Sequence, residues 1–503
     1  MSELVLALDL GTGGCKSSVW SSEGQCLAES VVDYATMHPR PGWNEQRPQD
    51  WWDAVVGSIR TLLAKSPEWR LRIVGIAVSG QSLGAVMLDK HNQLLGDTTP
   101  IWSDTRAGVE ASEYFARVDE ESWYLTTGNG FTPLLYPIFK AMWVRTHRSD
   151  DWTSARRMVG SKDYINLRLT GVLVTDHSYA SGSGCYSLRE RRYDEDLLSA
   201  AGLDVSLLPP IVESTEQVGT LTAEAAEQLQ LPRETPVFAG GVDNACMALG
   251  SRGVTSGRMY ASLGSSSWIT VTSTDPVLDP RSRPFVFAHV VPGLHVSALS
   301  TFSSGTTMAW LRELLAPEMT MQDFVTEACT APLGADGLLF LPMLSGGTPL
   351  EGGAEARGVL HGLDLSHHRS HIARAAMEGI AASLRRGLDI IGGYAADSEV
   401  LISGGGSQHP GWNQIYADIF DAPLLRTTVD QQAAALGAAA TALVGAGVWS
   451  TFTEAERPHM TKERFQPNQT DATAYAEVCA RFNEVVAAMA GLRKAESPRL
   501  EAR

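Results

Sequence analysis

The sequence has few of the features that mark secreted, zinc-binding or nucleic-acid-binding proteins. Six cysteines are scattered over 503 residues without a CxxC pair or a histidine partner at zinc spacing, so neither a disulfide framework nor a zinc module is expected. The 57 acidic residues outnumber 40 basic ones, and the net charge of −17 disfavours binding to nucleic acid or an anionic membrane. The N-terminus lacks the basic and apolar regions of a signal peptide, and the cysteines are typical of reduced thiols, so we expect a cytoplasmic protein.

One uncharged stretch has the length of a membrane span. It runs from Gln431 to Thr453 and consists mostly of small residues, interrupted by glycines. Alanine and glycine give it a weak transfer energy into hydrocarbon. We therefore predict a soluble helix that lies close against a neighbouring element.

The composition and pattern of the chain are those of an α/β protein. Hydrophobic residues make up 44% and charged residues 19%, which is a globular composition. At roughly 150 residues per domain, the length predicts two to four domains. Short apolar strands alternate with glycine turns and amphipathic helices, as expected for layers of helix and sheet.

Two similar hairpins, far apart in the sequence, indicate a duplicated fold. The first opens the chain, with strand residues 4–8 followed by a glycine turn at 11–14, and the second repeats strand and turn at 259–266. A strand follows each turn, whereas a helix follows the glycine loop of a Rossmann or P-loop unit. We therefore expect two related halves with a boundary near residues 245–258.

Both glycine turns carry hydroxyl side chains that suit a polyphosphate. Thr12 and Gly13 lie in the first turn, and Gly264 and Ser265 in the second. Glycine lets backbone N–H groups approach a phosphate closely, and the hydroxyls add further donors. If the two hairpins face each other across a cleft, they hold one nucleotide from both sides. The alternative is that each is an ordinary hairpin turn.

Two aspartates and a third glycine motif follow predicted strands. Asp9 ends the first strand, where a carboxylate can orient Mg²⁺ through water while facing the phosphates. Asp243 follows Gly240-Gly241 at the entrance of a helix, the position of either a general base, a metal ligand or a helix N-cap, and residue statistics favour the N-cap. Gly404-Gly405-Gly406 either lets a base or ribose lie against the backbone or forms a tight strand-to-helix turn.

Eight sequence blocks occur in the order and spacing of the FGGY carbohydrate kinases, and the chain resembles that family from about residue 4 to residue 490. The block Pro-Gly-Trp-x-Glu-Gln, followed by Trp51-Trp52, is most similar to the xylulokinase branch. The eight blocks are Asp9-Leu-Gly-Thr-Gly-Gly, Pro41-Gly-Trp-Asn-Glu-Gln, Val78-Ser-Gly-Gln81, Ile101-Trp-Ser-Asp104-Thr-Arg106, Lys162-Asp-Tyr-Ile-Asn, Gly240-Gly-Val-Asp243-Asn244-Ala, Ser262-Leu-Gly-Ser-Ser-Ser and Ser403-Gly-Gly-Gly-Ser.

The resemblance implies an α/β fold of two actin-like, ribonuclease-H-like domains that close on ATP-Mg²⁺ and a sugar. The expected division is an N-terminal sugar and phosphate domain over residues 1–247, a C-terminal nucleotide domain over 248–490 and a tail over 491–503. The implied activity is ATP-dependent phosphorylation of a sugar hydroxyl, with D-xylulose to D-xylulose 5-phosphate as the first expectation.

The resemblance also implies a role for individual residues. Asp243 matches the catalytic base, and Asp9 the carboxylate near Mg²⁺ and the γ-phosphate. Three groups of residues match the phosphate loops, the adenosine motif and the sugar pocket in turn: Thr12, Gly13, Gly264 and Ser265; Gly405 and Gly406; Gln81, Ser82, Leu83 and Asp104.

The sugar pocket departs from the xylulokinase pattern. Xylulokinases usually have Gln-Met-His-Gly where this chain has Gln81-Ser82-Leu83-Gly84. The loss of an imidazole that would bond a sugar hydroxyl leaves kinases for ribulose, glycerol or erythritol as alternatives. A catalytically silent sugar-binding regulator is a further alternative. No nucleic acid or membrane partner is expected, and the oligomeric state stays open, with a homodimer as one alternative.

Overall fold

A computed structural model describes residues 3–392 and 398–500, and side chains as far as residue 492. Its strands are β1 Leu4–Leu10, β2 Gly14–Ser21, β3 Cys26–Asp33, β4 Glu45–Gln46, β5 Ile73–Gly80, β6 Val86–Leu88, β7 Thr99–Pro100, β8 Arg157–Val159, β9 Thr175–Asp176, β10 Tyr186–Ser187, β11 Arg192–Tyr193, β12 Ile211–Val212, β13 Gln217–Thr220, β14 Pro236–Val242, β15 Met259–Leu263, β16 Ser267–Ser273, β17 Phe285–Ala288, β18 His295–Thr301, β19 Leu339–Leu341, β20 Val359–His361, β21 Val400–Ser403, β22 Leu424–Thr427 and β23 Thr461–Phe465. Its α-helices are α1 Pro48–Lys65, α2 Gly108–Phe115, α3 Glu120–Thr127, α4 Pro137–His147, α5 Ser149–Ser154, α6 Ser161–Thr170, α7 His177–Ala180, α8 Glu195–Ala200, α9 Ala223–Leu229, α10 Asp243–Gly250, α11 Gly305–Leu315, α12 Met321–Ala328, α13 Arg369–Ile391, α14 Pro410–Phe420, α15 Ala433–Gly445 and α16 Gln469–Leu500.

Two large sheets repeat the same topology. The N-terminal sheet has the order β3-β2-β1-β5-β14-β13, and the C-terminal sheet has the order β17-β18-β16-β15-β21-β22-β23. The strand β1 pairs antiparallel with β2 and parallel with β5, as β15 does with β16 and β21. An antiparallel strand then covers the last parallel strand, β13 on β14 and β23 on β22. This repeat confirms the predicted α/β class with two related halves, each opening on a glycine hairpin.

The small-residue helix predicted within 431–453 is α15. It packs against α10 and against β1 and β5 of the N-terminal sheet, although it follows β22 of the C-terminal sheet. A Cβ on Gly437 would lie 2.0 Å from the Cys246 carbonyl oxygen, and one on Gly250 would lie 1.8 Å from that of Ala433. The backbones of the two helices therefore touch, as the sequence predicts. In the part of the chain that the structure describes, no helix is long and apolar enough to cross a membrane.

The limits of the two units follow the helices. Because α10 runs from residue 243 to residue 250, the expected boundary between 247 and 248 falls within a helix, and a division at 251–258 keeps that helix whole. Helix α16 continues to Leu500, whereas the sequence analysis expects a tail from residue 491. Residues 492–496, Leu-Arg-Lys-Ala-Glu, are strong helix formers and allow the helix to pass residue 491, whereas Ser497 and Pro498 beyond them are not.

The contact between α10 and α15 gives a prediction for stability. Replacing Gly437 with alanine should destabilise the protein by about 1–3 kcal/mol, because the added methyl must push the two backbones apart. Gly491→Ala is the matched control, since a Cβ there meets nothing within 4 Å in the helical α16. Alanine should be neutral or stabilising by up to about 1 kcal/mol at that position. Urea denaturation measures both effects, and equal shifts for the two variants would contradict the packing argument.

Candidate active site

The two predicted catalytic aspartates lie at the same edge of the N-terminal sheet. Asp9 pairs in register with Ser79 on the parallel strand β5, and Ser79 pairs in turn with Gly241 on β14. Asp243 lies two residues beyond Gly241, where β14 ends and α10 begins. Carboxyl ends of adjacent parallel strands form the usual site of ligand binding in such sheets. The structure therefore brings Asp9 and Asp243 together.

Asp9 is held by one hydroxyl and faces one cation. Its Oδ1 accepts a 3.2 Å hydrogen bond from Ser79 Oγ, and its Oδ2 lies 4.0 Å from Lys16 Nζ. Burial raises the pKa of Asp9, while Lys16 and Ser79 act in the opposite direction. The same Lys16 ammonium donates to the carbonyl of Gln431, just ahead of α15, so it connects the aspartate to the C-terminal part of the chain.

Asp243 is the first residue of α10 and not its N-cap. The N-cap is Val242, which makes no side-chain capping bond, so the N-cap interpretation is wrong. Asp243 is half-buried, and its Oδ1 accepts two bonds, from the Asn244 backbone N–H at 2.8 Å and from Asn244 Nδ2 at 3.0 Å. Burial of the carboxylate raises the pKa of Asp243 to about 7, with the negative charge of Asp9 acting in the same direction.

A glycine bulge directs the chain into Asp243. The register between β14 and β5 shifts between Phe238 and Gly241, and Gly240 has a φ of 74°. A Cβ on Gly240 would lie 2.1 Å from the Val78 carbonyl oxygen, and one on Gly241 would lie 2.3 Å from Val290 Cγ1. Bulges of this kind re-aim the residues that follow them, and here only glycine fits at both positions.

The first glycine hairpin is fixed by bonds to its own carbonyl oxygens. Gln46 Nε2 donates to the Thr12 carbonyl at 2.6 Å, and the Tyr34 N–H donates to the Gly13 carbonyl at 3.1 Å. Thr12 and Gly13 themselves are exposed. The Thr12 hydroxyl accepts a 2.9 Å bond from Trp102 Nε1, so its own proton is free to be donated outward. This arrangement suits an incoming phosphate oxygen.

The second hairpin and the third glycine motif lie side by side. The carbonyls of Gly264 and Ser265 accept N–H groups from the start of α11, at 3.0 Å from Gly305 and 2.9 Å from Ser304. Gly404 has a φ of 93°, and a Cβ there would lie 2.7 Å from the carbonyl oxygen of Leu263, the residue before the hairpin turn. Gly405 and Gly406 follow in a single 3₁₀ turn, and a Cβ on Gly405 would meet nothing within 4 Å. The predicted phosphate and adenosine residues of the C-terminal half are thus neighbours.

Helix α10 connects the aspartate edge to the C-terminal sheet. Ala248 of this helix packs in one cluster with Tyr260 of β15 and Leu401 of β21. Both strands lead directly into the glycine motifs of the C-terminal half. The two halves therefore meet through the helix that begins at Asp243.

The predicted sugar-pocket residues are buried close to the first hairpin. Gln81 donates through its backbone N–H to the Leu10 carbonyl and through Nε2 to Gln46 Oε1. Its Oε1 is buried without a hydrogen-bond partner among the described residues, which is unusual for a polar atom. Ser82 and Leu83 are also buried, and Leu83 adopts a left-handed φ of 57°. An apolar side chain thus stands where the xylulokinase pattern has an imidazole, and its predicted place in a sugar pocket stays a prediction.

Asp104 is engaged with protein groups. Its carboxylate accepts bonds from Arg106 Nε at 2.8 Å and from the Asn44 backbone N–H at 2.7 Å, and it has no exposed surface. Arg106 also contacts Glu45. In this structure Asp104 therefore connects the segments of Asn44 and Arg106, and its predicted contact with a sugar stays a prediction.

Lys140, whose role was not predicted from the sequence, joins two of the segments predicted to form the pocket. Its ammonium is buried and donates to the Leu83 carbonyl at 2.8 Å and to the Ile101 carbonyl at 2.6 Å. Burial lowers the pKa of Lys140 to about 7. The signal was a lone charge within the apolar run of α4, Pro137-Ile-Phe-Lys-Ala-Met-Trp-Val. Trp102 lies within one of the eight blocks, and its role could not be predicted because its bond to Thr12 joins distant segments.

Comparison with known proteins assigns the chain to a family. Residues 4–250 match the N-terminal domain, and residues 259–446 the C-terminal domain, of the FGGY family of carbohydrate kinases, and the chain belongs to that family. It is 30% identical to a xylulose kinase from Escherichia coli over 94% of this chain and 96% of that protein. Its structure is similar to a xylulose kinase from Rhodospirillum rubrum, with a TM-score of 0.90, 29% identity and coverage of 97% and 99%. It is equally similar to a gluconate kinase from Lactobacillus acidophilus, with a TM-score of 0.90, 26% identity and coverage of 97% and 99%.

These findings confirm the two-domain actin-like, ribonuclease-H-like fold and the enzyme class. The chain is a sugar kinase, so the alternative of a catalytically silent regulator is not supported. A sugar kinase of this family uses ATP as its second substrate. The chain is similar to both a xylulose kinase and a gluconate kinase, so this similarity does not identify the sugar that it phosphorylates.

The donor set at the sheet edge fits Mg²⁺. This ion usually takes one or two carboxylates together with substrate phosphates and water. Asp9 offers a carboxylate beside a hairpin suited to phosphate, and its negative charge adds to the rise in the pKa of the nearby Asp243. Within the described residues, no group of three or more His, Cys, Asp or Glu side chains could hold a metal, so substrate oxygens would have to complete the coordination.

Proposed function

We propose that this kinase transfers the γ-phosphoryl group of ATP to a hydroxyl of a small ketose, with D-xylulose as the first candidate. The observation that carries the proposal is the placement of Asp243 and Asp9 at one sheet edge, beside the hairpin of Thr12 and the buried Gln81. The xylulose kinases among its relatives support the choice of sugar.

The proposed reaction is an in-line displacement at the γ-phosphorus. The sugar hydroxyl oxygen attacks phosphorus, the bond to the bridging oxygen breaks with its electron pair leaving on ADP, and the hydroxyl proton passes to Asp243. The transition state is loose, so most of the catalysis comes from positioning and charge neutralisation. Asp243 also orients the hydroxyl, and near neutral pH a carboxylate with a pKa of about 7 is a stronger base than an ordinary aspartate.

The remaining proposed roles concern the nucleotide. Thr12, Gly13, Gly264 and Ser265 hold the phosphates from the two hairpins, while Gly405 and Gly406 give the adenosine a flat backbone surface. Mg²⁺ would neutralise charge on the transferring group, and Asp9 is the residue that would hold it, through water. Domain closure around the cleft excludes water that would otherwise hydrolyse ATP.

The pocket decides which sugar is taken. Gln81 supplies an unpartnered amide oxygen, and Leu83 supplies an apolar wall where an imidazole would bond a hydroxyl. A pocket that loses one hydroxyl partner discriminates weakly at that position, by about 1–3 kcal/mol. We therefore expect D-xylulose to be used, with weaker rejection of its analogues than a hydrogen-bonding pocket would give. Cytoplasmic location and a homodimer stay predictions.

A coupled assay of ADP release tests the proposal. ATP-Mg²⁺ is supplied with D-xylulose, D-ribulose, pentitols, glycerol, erythritol and D-gluconate, each compared with a reaction that lacks sugar. The expected result is the highest kcat/KM with D-xylulose. The highest value with gluconate or a polyol would keep the kinase and overturn the assignment of the sugar.

A further inference from the structure

A buried ionic cluster lies directly behind the bulge that leads to Asp243. Lys162 Nζ lies 2.7 Å from Asp163 Oδ1 and 3.1 Å from Asp176 Oδ1, and all three side chains are buried. The same ammonium donates to the Ala239 carbonyl at 3.0 Å, on the strand just before the bulge. Buried charges are tolerated only when they are paired and hydrogen-bonded, and here that pairing fixes Lys162, Asp163 and Asp176 against the Ala239 carbonyl.

Ser178 connects this cluster to the backbone beside the catalytic residue. Its hydroxyl donates to Asp176 Oδ2 and accepts the Val242 N–H at 3.0 Å. Val242 is the N-cap of α10 and the residue immediately before Asp243. One hydroxyl therefore holds the Val242 peptide, while Lys162 and Asp176 fix the orientation of that hydroxyl.

We propose that Ser178 is a positioning residue for Asp243, acting through the Val242 peptide and oriented by the Lys162–Asp176 pair; this inference rests on the proposed role of Asp243 as the base. The Gly240-Gly241 bulge gives that segment no side chains of its own to pack against the sheet. The Ser178 bond therefore adds a directional contact to the ladder pairing of Gly241 and Val242 with β5, and a misplacement of about 1 Å can cost about 10²-fold in rate.

Ser214 offers a matched control. Its hydroxyl donates to the same oxygen, Asp176 Oδ2, at 2.9 Å, and its side chain is buried to a similar degree. Its hydroxyl makes no bond to Val242 among the described residues. Ser178→Ala and Ser214→Ala therefore remove the same kind of bond from the cluster, and only the first frees the Val242 peptide.

The test compares kcat, the two KM values and the melting temperature of both variants. Ser178→Ala should lower kcat about 10- to 100-fold, with the KM for ATP unchanged, while Ser214→Ala stays within about twofold of the parent and both lose similar thermal stability. Ser178→Cys, near-isosteric but a weaker donor and acceptor, should give an intermediate kcat. If the alanine variant does not fold, the kcat of Ser178→Cys tests the positioning role in its place.

Asp243→Asn, measured alongside, distinguishes a failure of the positioning role of Ser178 from a failure of the proposed function. If this variant is inactive while Ser178→Ala and Ser214→Ala have equal kcat values, the positioning role is wrong and the proposed function stands. If Asp243→Asn turns over normally, both are overturned.

Discussion

Replacing Asp243 with asparagine is expected to lower kcat for sugar phosphorylation by about 10²–10⁴-fold, the usual contribution of a general base. Asparagine keeps the size of the side chain and an oxygen that can accept the Asn244 N–H groups, but it cannot take the hydroxyl proton. ADP release at saturating D-xylulose and ATP-Mg²⁺ measures the loss. Near-normal turnover would refute the assignment of the base.

The stability of this variant provides the control for folding. Because the pKa of Asp243 is raised in the folded protein, the folded state binds more protons than the unfolded state between about pH 4 and 7. The charged carboxylate therefore disfavours folding above pH 7, and this penalty vanishes as the pH falls below the unfolded value. Asparagine removes the charge, so at pH 8 the melting temperature should equal or exceed that of the parent. A large decrease would mean that lost activity reports unfolding.

The same pKa gives a pH profile for the unaltered enzyme. Asp243 must be deprotonated to act, so kcat/KM should rise with pH and level off above an apparent pKa near 7. An aspartate with an ordinary pKa near 4 would place this rise about three units lower.

Local sequence signals predicted the parts of the site that depend on single segments. The hairpins β1–β2 and β15–β16 follow from apolar strands joined by glycine, and their repetition predicted the duplicated fold. The small residues of α15 predicted its close contact with a neighbour, which the structure places at α10.

Features that join distant segments could not be predicted. Lys140 reaches two carbonyls 39 and 57 residues away in the sequence, and Ser178 reaches Val242 across 64 residues. The position of Asp243 at the start of α10, and not at its N-cap, depends on the bulge, which exists because β14 pairs with β5. Residue preferences at helix ends contain no information about such pairing, so they favoured the wrong alternative.

Asp9→Asn should lower kcat by about 10²-fold or more, a loss typical of one preorganised electrostatic group, while the KM for the sugar changes little. The proposed role of Asp9 is on the phosphate side, through Mg²⁺, so its charge matters mainly once the γ-phosphoryl group begins to transfer. Ser79→Ala is the matched control, because it removes the hydrogen bond to Asp9 Oδ1 and leaves the charge. Its kcat should fall much less. A change confined to the KM for sugar would show that Asp9 belongs to the sugar pocket.

The residual activity of Asp9→Asn also tests whether the two carboxylates act on each other. Burial is the main reason why the pKa of Asp243 is high, and the charge of Asp9 adds to it. Removing that charge should move the low-pH limb of kcat/KM to lower pH, whereas Ser79→Ala, which leaves Asp9 charged, should not lower it. A limb that stays near pH 7 in Asp9→Asn would mean that the limb belongs to another group or that burial alone sets the pKa. A shift to lower pH would instead tie the base and the phosphate-side carboxylate to one cleft, as an in-line transfer between sugar and ATP requires.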